Sequence, residues 1–142
     1  MSAERCVLLI DDDADHRFIE MRVLQKIVKG KPVRLVEAET GVQGLASLAK
    51  LVDDGFRVLL ITDFRMPQMS GPQVIKEARS RHPKAPIRYV LLTSFEQLPE
   101  MLGGEPAADE VVSKPFDQRE FQALFESLVE KWANASPRAK SA

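Results

Sequence analysis

The sequence predicts an α/β domain built on a doubly wound, five-stranded parallel sheet with helices on both faces. Three observations carry this expectation. Strand-like segments recur at residues 6–10, 33–38, 56–61, 87–92 and 110–113. The first is apolar throughout and the third and fourth nearly so, as strands buried on both sides are. Helical periodicity fills most of the gaps between them, and strict alternation of strand and helix argues parallel strands joined by crossover helices.

The first run ends abruptly at Asp11-Asp12-Asp13. A helical stretch follows, with Phe18, Met21, Leu24 and Val28 at 3–4 spacing as its expected buried stripe. Gly30 and Pro32 stop it. After the second strand, Thr40 and Gln43 form a capping-box pattern. The helix it opens is expected to bury Val42, Leu45, Leu48 and Val52, and Asp54-Gly55 marks the turn out of it. The third strand again runs into an acid, Asp63, and then the loop Arg65-Met66-Pro67-Gln68-Met69-Ser70-Gly71. Pro72 suits the first turn of a third helix carrying Val74, Ile75 and Ala78. The fourth strand ends at Thr93-Ser94 and the fifth at Lys114-Pro115. Asp117 and Glu120 open a last helix with Phe121, Leu124, Leu128 and Trp132 on one face.

Pro99, Gly103, Gly104 and Pro106 crowd the gap between the fourth and fifth strands, where at most a short helix over 97–102 is expected. Residues 133–142 are small and polar and read as a disordered tail, so the expected domain is 1–132.

With 142 residues, 44% of them hydrophobic, the chain suits one domain with one core. A formal net charge of -1 gives no electrostatic ground for nucleic-acid or membrane binding. No apolar run approaches the roughly 20 residues of a membrane span. The first residues lack the layout of a signal peptide. Cys6 is the sole cysteine, which excludes an internal disulfide, and it reads as a small core residue. These negatives together point to the cytoplasm.

In an open parallel sheet, functional groups collect beyond the carboxyl ends of the strands. Those ends carry Asp11 and Asp12, Asp63, Thr93 and Lys114. Carboxylates about 4–5 Å apart repel by roughly 3–4 kcal/mol per pair at an effective dielectric near 20. A hard divalent cation such as Mg²⁺ offsets that repulsion and takes oxygen ligands. Asp63 is then a candidate nucleophile, because a carboxylate can form an aspartyl phosphate. Lys114 would supply a point charge to a phosphoryl oxygen, and Thr93 a hydroxyl donor.

At this point four motifs resemble those of the response-regulator receiver domain. They are Leu8-Leu9-Ile10-Asp11-Asp12-Asp13, Ile61-Thr62-Asp63-Phe64-Arg65-Met66-Pro67, Leu91-Leu92-Thr93-Ser94 and Ser113-Lys114-Pro115-Phe116. The resemblance runs from about Arg5 to Trp132. It implies a flavodoxin-like sheet in the order 2-1-3-4-5. It implies Asp63 as phosphoacceptor, Asp12 as direct Mg²⁺ ligand, Asp11 holding metal-bound water, and the backbone carbonyl of Arg65 completing the site. Thr93 would follow the phosphoryl group, Lys114 would pair with it, and the Lys114-Pro115 bond would be cis. The donor would be a phosphohistidine on a histidine kinase or phosphotransfer protein. The chain would catalyse only its own phosphorylation and slow dephosphorylation, and would signal to a downstream protein whose identity the sequence does not give. A weak homodimer is a further expected contact; nucleic acid and membrane are not. With no effector domain after Trp132, a stand-alone receiver is expected.

The chain departs from that family's pattern at Val111, where many receivers carry Tyr or Phe. The usual coupling of an aromatic rotation to threonine movement is then lost, and Phe95 is a candidate substitute. The segment 99–106 is expected to be mobile and to order on switching. Arg65 lies two residues after the acceptor, within reach of attacking water, so Arg65→Asn should change the phosphoryl lifetime.

Blander readings compete. Asp13 suits a helix N-cap. A calcium loop fails, because His16 and Arg22 occupy the places of its Gly and Glu. His16 and His82 read as solvated helix residues. A non-phosphorylated interaction module of the same fold is the alternative function, against which Asp12, Asp63, Thr93 and Lys114 argue. A phosphatase with an aspartate nucleophile fits Asp11-Asp12-Asp13-Ala14 poorly, and no glycine-rich loop follows the first strand.

Overall fold

In the computed structural model, residues 4–94, 108–115 and 117–135 are described. The elements are β1 (Arg5–Ile10), α1 (Ala14–Val28), β2 (Val33–Ala38), α2 (Gly41–Asp53), β3 (Arg57–Asp63), α3 (Gly71–Arg81), β4 (Ile87–Thr93), β5 (Glu110–Ser113) and α4 (Gln118–Asn134). All strand pairs are parallel, in the order β2-β1-β3-β4-β5. This is the flavodoxin-like sheet that the sequence predicts.

The pleat divides each strand between two cores. Cys6, Leu8 and Ile10 of β1 and Leu60 of β3 face α2 and α3, where Leu45, Leu48, Val74, Ile75 and Ala78 meet them. Val7 and Leu9, with Leu59 and Ile61, face α1 and α4, against Leu24, Ile27, Phe125, Leu128 and Trp132. Burial pushes the Cys6 thiol up to about 11, which keeps it protonated and inert in the core.

Side chains fix where the helices start. Asp13, Thr40, Ser70 and Asp117 each accept a backbone N–H of their own first turn. Ser70 and Gln73 complete a reciprocal capping box. Gln43 instead bonds the Glu39 N–H, one residue earlier than the box pattern implies.

Four differences from the sequence reading bear on the site. β3 and β4 run on to Asp63 and Thr93, so both residues are part of the ladder rather than the loops. Phe18 and Val42, expected in the core, are 62% and 60% exposed. In α1 the inward position of that turn belongs to Glu20, two residues on and therefore about 200° around the helix. α4 runs two residues past Trp132, and the Ala135 carbonyl accepts from Arg57. The segment 99–106, Phe95, Phe116 and residues 136–142 lie outside the described residues. Among the described residues, no helix is long and apolar enough to cross a membrane.

Candidate functional site

β1, β3 and β5 bring three predicted residues into one basin. Asp63 closes β3 and is 8% exposed. Asp11, just past β1, is 1% exposed. Its N–H donates to the Ala38 carbonyl at 3.1 Å, and its Oδ1 accepts the Asp13 N–H at 2.9 Å. Arg17 donates to the Asp11 carbonyl at 2.7 Å while bonding Glu37, which ties α1 to the ends of β1 and β2.

Lys114 follows β5, and its N–H donates to the Thr93 carbonyl at 2.7 Å. Its Nζ lies 3.0 and 3.1 Å from the two Asp63 oxygens and 3.4 Å from Asp11 Oδ2. The Lys114-Pro115 bond is trans, which corrects the expected cis form. The Lys114 N–H extends the β4–β5 ladder and the side chain still reaches Asp63, so the trans peptide, the lower-energy form, suffices.

The other predicted residues sit around the rim. Thr93, 1% exposed, directs its hydroxyl to the Ser94 carbonyl at 3.1 Å. Asp12 is exposed and lines an open depression with Arg65, Met66, Pro67 and Ser70. Asp12 is therefore on the Arg65 side of the site rather than in the Lys114 cluster. Val111 pairs with Leu91 across the sheet and packs on the α2–α3 core. Gly71 starts α3 so close to β3 that a Cβ there would collide with the Asp63 carbonyl, and its own N–H donates to the Phe64 carbonyl at 2.9 Å. This close approach fixes the backbone of the acid.

A profile of the response regulator receiver domain matches residues 7–126 of the chain. The chain belongs to the response regulator receiver domain family. The receiver is 31% identical over 124 residues to the DNA-binding transcriptional regulator NtrC of Salmonella typhimurium, covering 87% of this chain and 24% of the relative. It is 32% identical over 128 residues to the histidine kinase P4 of Formosa agariphila, covering 89% of this chain and 9% of that one. The chain thus spans a quarter or less of the length of these two relatives. The solved chemotaxis response regulator CheY4 of Vibrio cholerae superposes with a TM-score of 0.66 at 24% identity, covering 89% of this chain and 99% of that one.

Two residues near the receiver's acids escaped the sequence reading. His16 is exposed as expected, yet its Nδ1 lies 3.2 Å from Lys114 Nζ. Glu20 is 0% exposed and joins Asp11 and Asp63 in a group whose oxygens, one from each, all lie within 4.8 Å of one another. Both Glu20 oxygens are buried without a hydrogen-bond partner. The one available signal was its helical register with Leu24 and Ile27.

The electrostatics follow from burial. Desolvation, then the neighbouring Asp11, pushes Glu20 up to about 10. The same two causes raise Asp63 to about 8, with Lys114 pulling the other way. Burial alone would raise Asp11 too, but the neighbouring Glu20 and Asp63 carboxyls, the Asp13 N–H and the charge of Lys114 hold it low. Burial works against the Lys114 charge, yet Asp63, Asp11 and Glu20 raise its pKa on balance. The basin therefore carries more acid than one ammonium can balance. Three clustered carboxylates, one of them orphaned, fit a hard divalent cation with oxygen ligands.

Proposed function

We propose that the receiver accepts a phosphoryl group on Asp63 from a phosphohistidine of a histidine kinase or phosphotransfer protein, and signals through protein contacts in the cytoplasm. The observation that carries this reading is the placement of Lys114 Nζ on both oxygens of a buried Asp63, beside Asp11. Phosphoryl transfer needs positioning and charge stabilisation more than covalent help.

Asp63 must be ionised to attack. An Asp63 oxygen forms the new P–O bond as the P–N bond of the donor breaks, and the donor imidazole keeps that electron pair. Lys114 holds the carboxylate in place and then follows an oxygen of the transferred group. Thr93, at the end of β4, would turn its hydroxyl from the Ser94 carbonyl to a phosphoryl oxygen. Asp11, Asp12, Asp63 and the backbone carbonyl of Arg65 are the groups that would hold Mg²⁺. When bound, this ion supplies positive charge that keeps Asp63 ionised and neutralises phosphoryl oxygens. Gly71 keeps the Asp63 backbone fixed throughout.

The test is incubation of wild type and Asp63→Asn with acetyl phosphate and Mg²⁺, read by intact mass. Wild type should gain one phosphoryl group and the variant none. Labelling of both proteins would remove Asp63 from its role. Labelling of neither would favour a non-phosphorylated interaction module.

A further inference from the structure

We propose that Glu20 is a further carboxylate ligand of the divalent cation, clustered with Asp11 and Asp63. The proposal deepens the reading above, on which it rests for the presence of a cation. α1 places Glu20 there by register: it heads the inward line that continues through Leu24 and Ile27.

A glutamate in that line displaces an apolar contact and is 0% exposed, so water does not solvate it. An unpaired buried carboxylate is among the costliest groups a core can hold. Lys114 does not resolve it. An ammonium has three protons. Its Nζ already lies within 3.4 Å of Asp63, His16 and Asp11, while Glu20 Oε2 stands off at 4.0 Å. Both Glu20 oxygens remain without a partner.

Charge gives the same answer. With its three acids ionised, as ligands of a cation are, the Lys114 cluster carries about -2, which a single dication neutralises. The oxygens of Asp11, Glu20 and Asp63 lie within 4.8 Å of one another, so a small closure would bring all three onto one ion. Oxygen ligands suit Mg²⁺ and Mn²⁺ alike.

The experiment titrates Mn²⁺ into the full chain and reads the free ion by its electron paramagnetic resonance. Wild type, Glu20→Gln, Glu20→Leu and Asp63→Asn are compared. Wild type should take up one ion per chain, and both Glu20 variants should bind it at least tenfold more weakly. Thermal melts in chelator should show both Glu20 variants folded, with midpoints no lower than wild type. Saturating Mn²⁺ should then raise the wild-type midpoint more than theirs. Binding by both Glu20 variants within threefold of wild type would overturn the proposal and leave Glu20 a buried neutral acid. Acetyl phosphate labelling of the same samples reads Asp63 separately. Labelled wild type with unchanged ion affinity in the variants refutes the Glu20 role alone. Wild type that neither binds Mn²⁺ nor labels refutes both readings.

Discussion

Two charged residues are buried on the same face of the sheet, at opposite ends of it, and they are treated differently. Arg57 opens β3 at the amino edge and is 7% exposed. Its Nη2 donates to the Trp132 carbonyl at 3.2 Å and the Ala135 carbonyl at 3.0 Å, and its guanidinium lies 5.9 Å from the Trp132 ring centroid. The last carbonyls of α4 lack helical partners, and the negative end of the helix dipole favours a cation there. Arg57 thus satisfies what the helix end leaves open. Glu20, at the carboxyl edge, has no hydrogen-bond partner at all. A buried charge that is fully bonded holds the fold together; a buried acid left unbonded among other acids costs the fold stability unless a cation joins it.

The largest break in that comparison should come from Arg57→Met. The methionine fills much of the volume but leaves the Ala135 carbonyl without its Arg57 donor and the Trp132 carbonyl with the Ala135 N–H alone. Losing a charged hydrogen bond and leaving an acceptor unsatisfied costs about 2–4 kcal/mol. Urea denaturation should show that loss with an unchanged slope, and phosphorylation of the folded fraction should persist. A midpoint equal to wild type would mean that Arg57 is not a staple.

Glu20→Leu should act in the opposite direction. In chelator, removing an orphaned buried acid should stabilise the fold by about 1–3 kcal/mol near neutral pH. The pH dependence has a definite sign. Glu20 sits near 10 when folded, above its ordinary value of 4.5, so the folded state binds the proton more tightly. The stabilisation that Glu20 contributes is then fully present below pH 4.5 and is lost as pH rises toward 10. Asp63, raised to about 8, adds a slope of the same sign in both proteins. The gap between variant and wild type should therefore widen from pH 5 to pH 9. A gap that stays constant or narrows over that range would show Glu20 already ionised in the fold.

The contrast also explains what the sequence discloses. Strands buried on both faces must be written in apolar residues, so β1, β3 and β4 stand out as runs, and the acids and hydroxyl that end them stand out by interruption. Asp11, Asp63 and Lys114 were legible for that reason, and they do meet. Glu20 was not, because among Arg22, Gln25 and Lys26 a glutamate looks like one more residue of a polar helix face. Phe18 misled in the reverse sense: its apolar character fits the stripe, but its angle around α1 does not. Gly71 looks like a turn glycine, yet its reason is closeness to the Asp63 carbonyl. The left-handed backbone of that loop falls on Gln68, with φ 71°. Approach distances of this kind are set by tertiary packing and leave no local signal.

The smallest effect should come from charges that are neither buried nor near the basin. Arg81 and Glu77 pair at 3.0 Å across one turn of α3, with both side chains about half exposed. Water screens such a pair, and holding two long side chains in one geometry opposes the Coulomb gain. Arg81→Ala should therefore change stability by less than about 0.5 kcal/mol, and any effect should fade at high salt. Urea midpoints for Arg81→Ala, Arg57→Met and Glu20→Leu in one buffer would then form a series of near-zero, loss and gain. If Arg81→Ala cost as much as Arg57→Met, burial and bonding would not be what separates structural charges from functional ones in this fold.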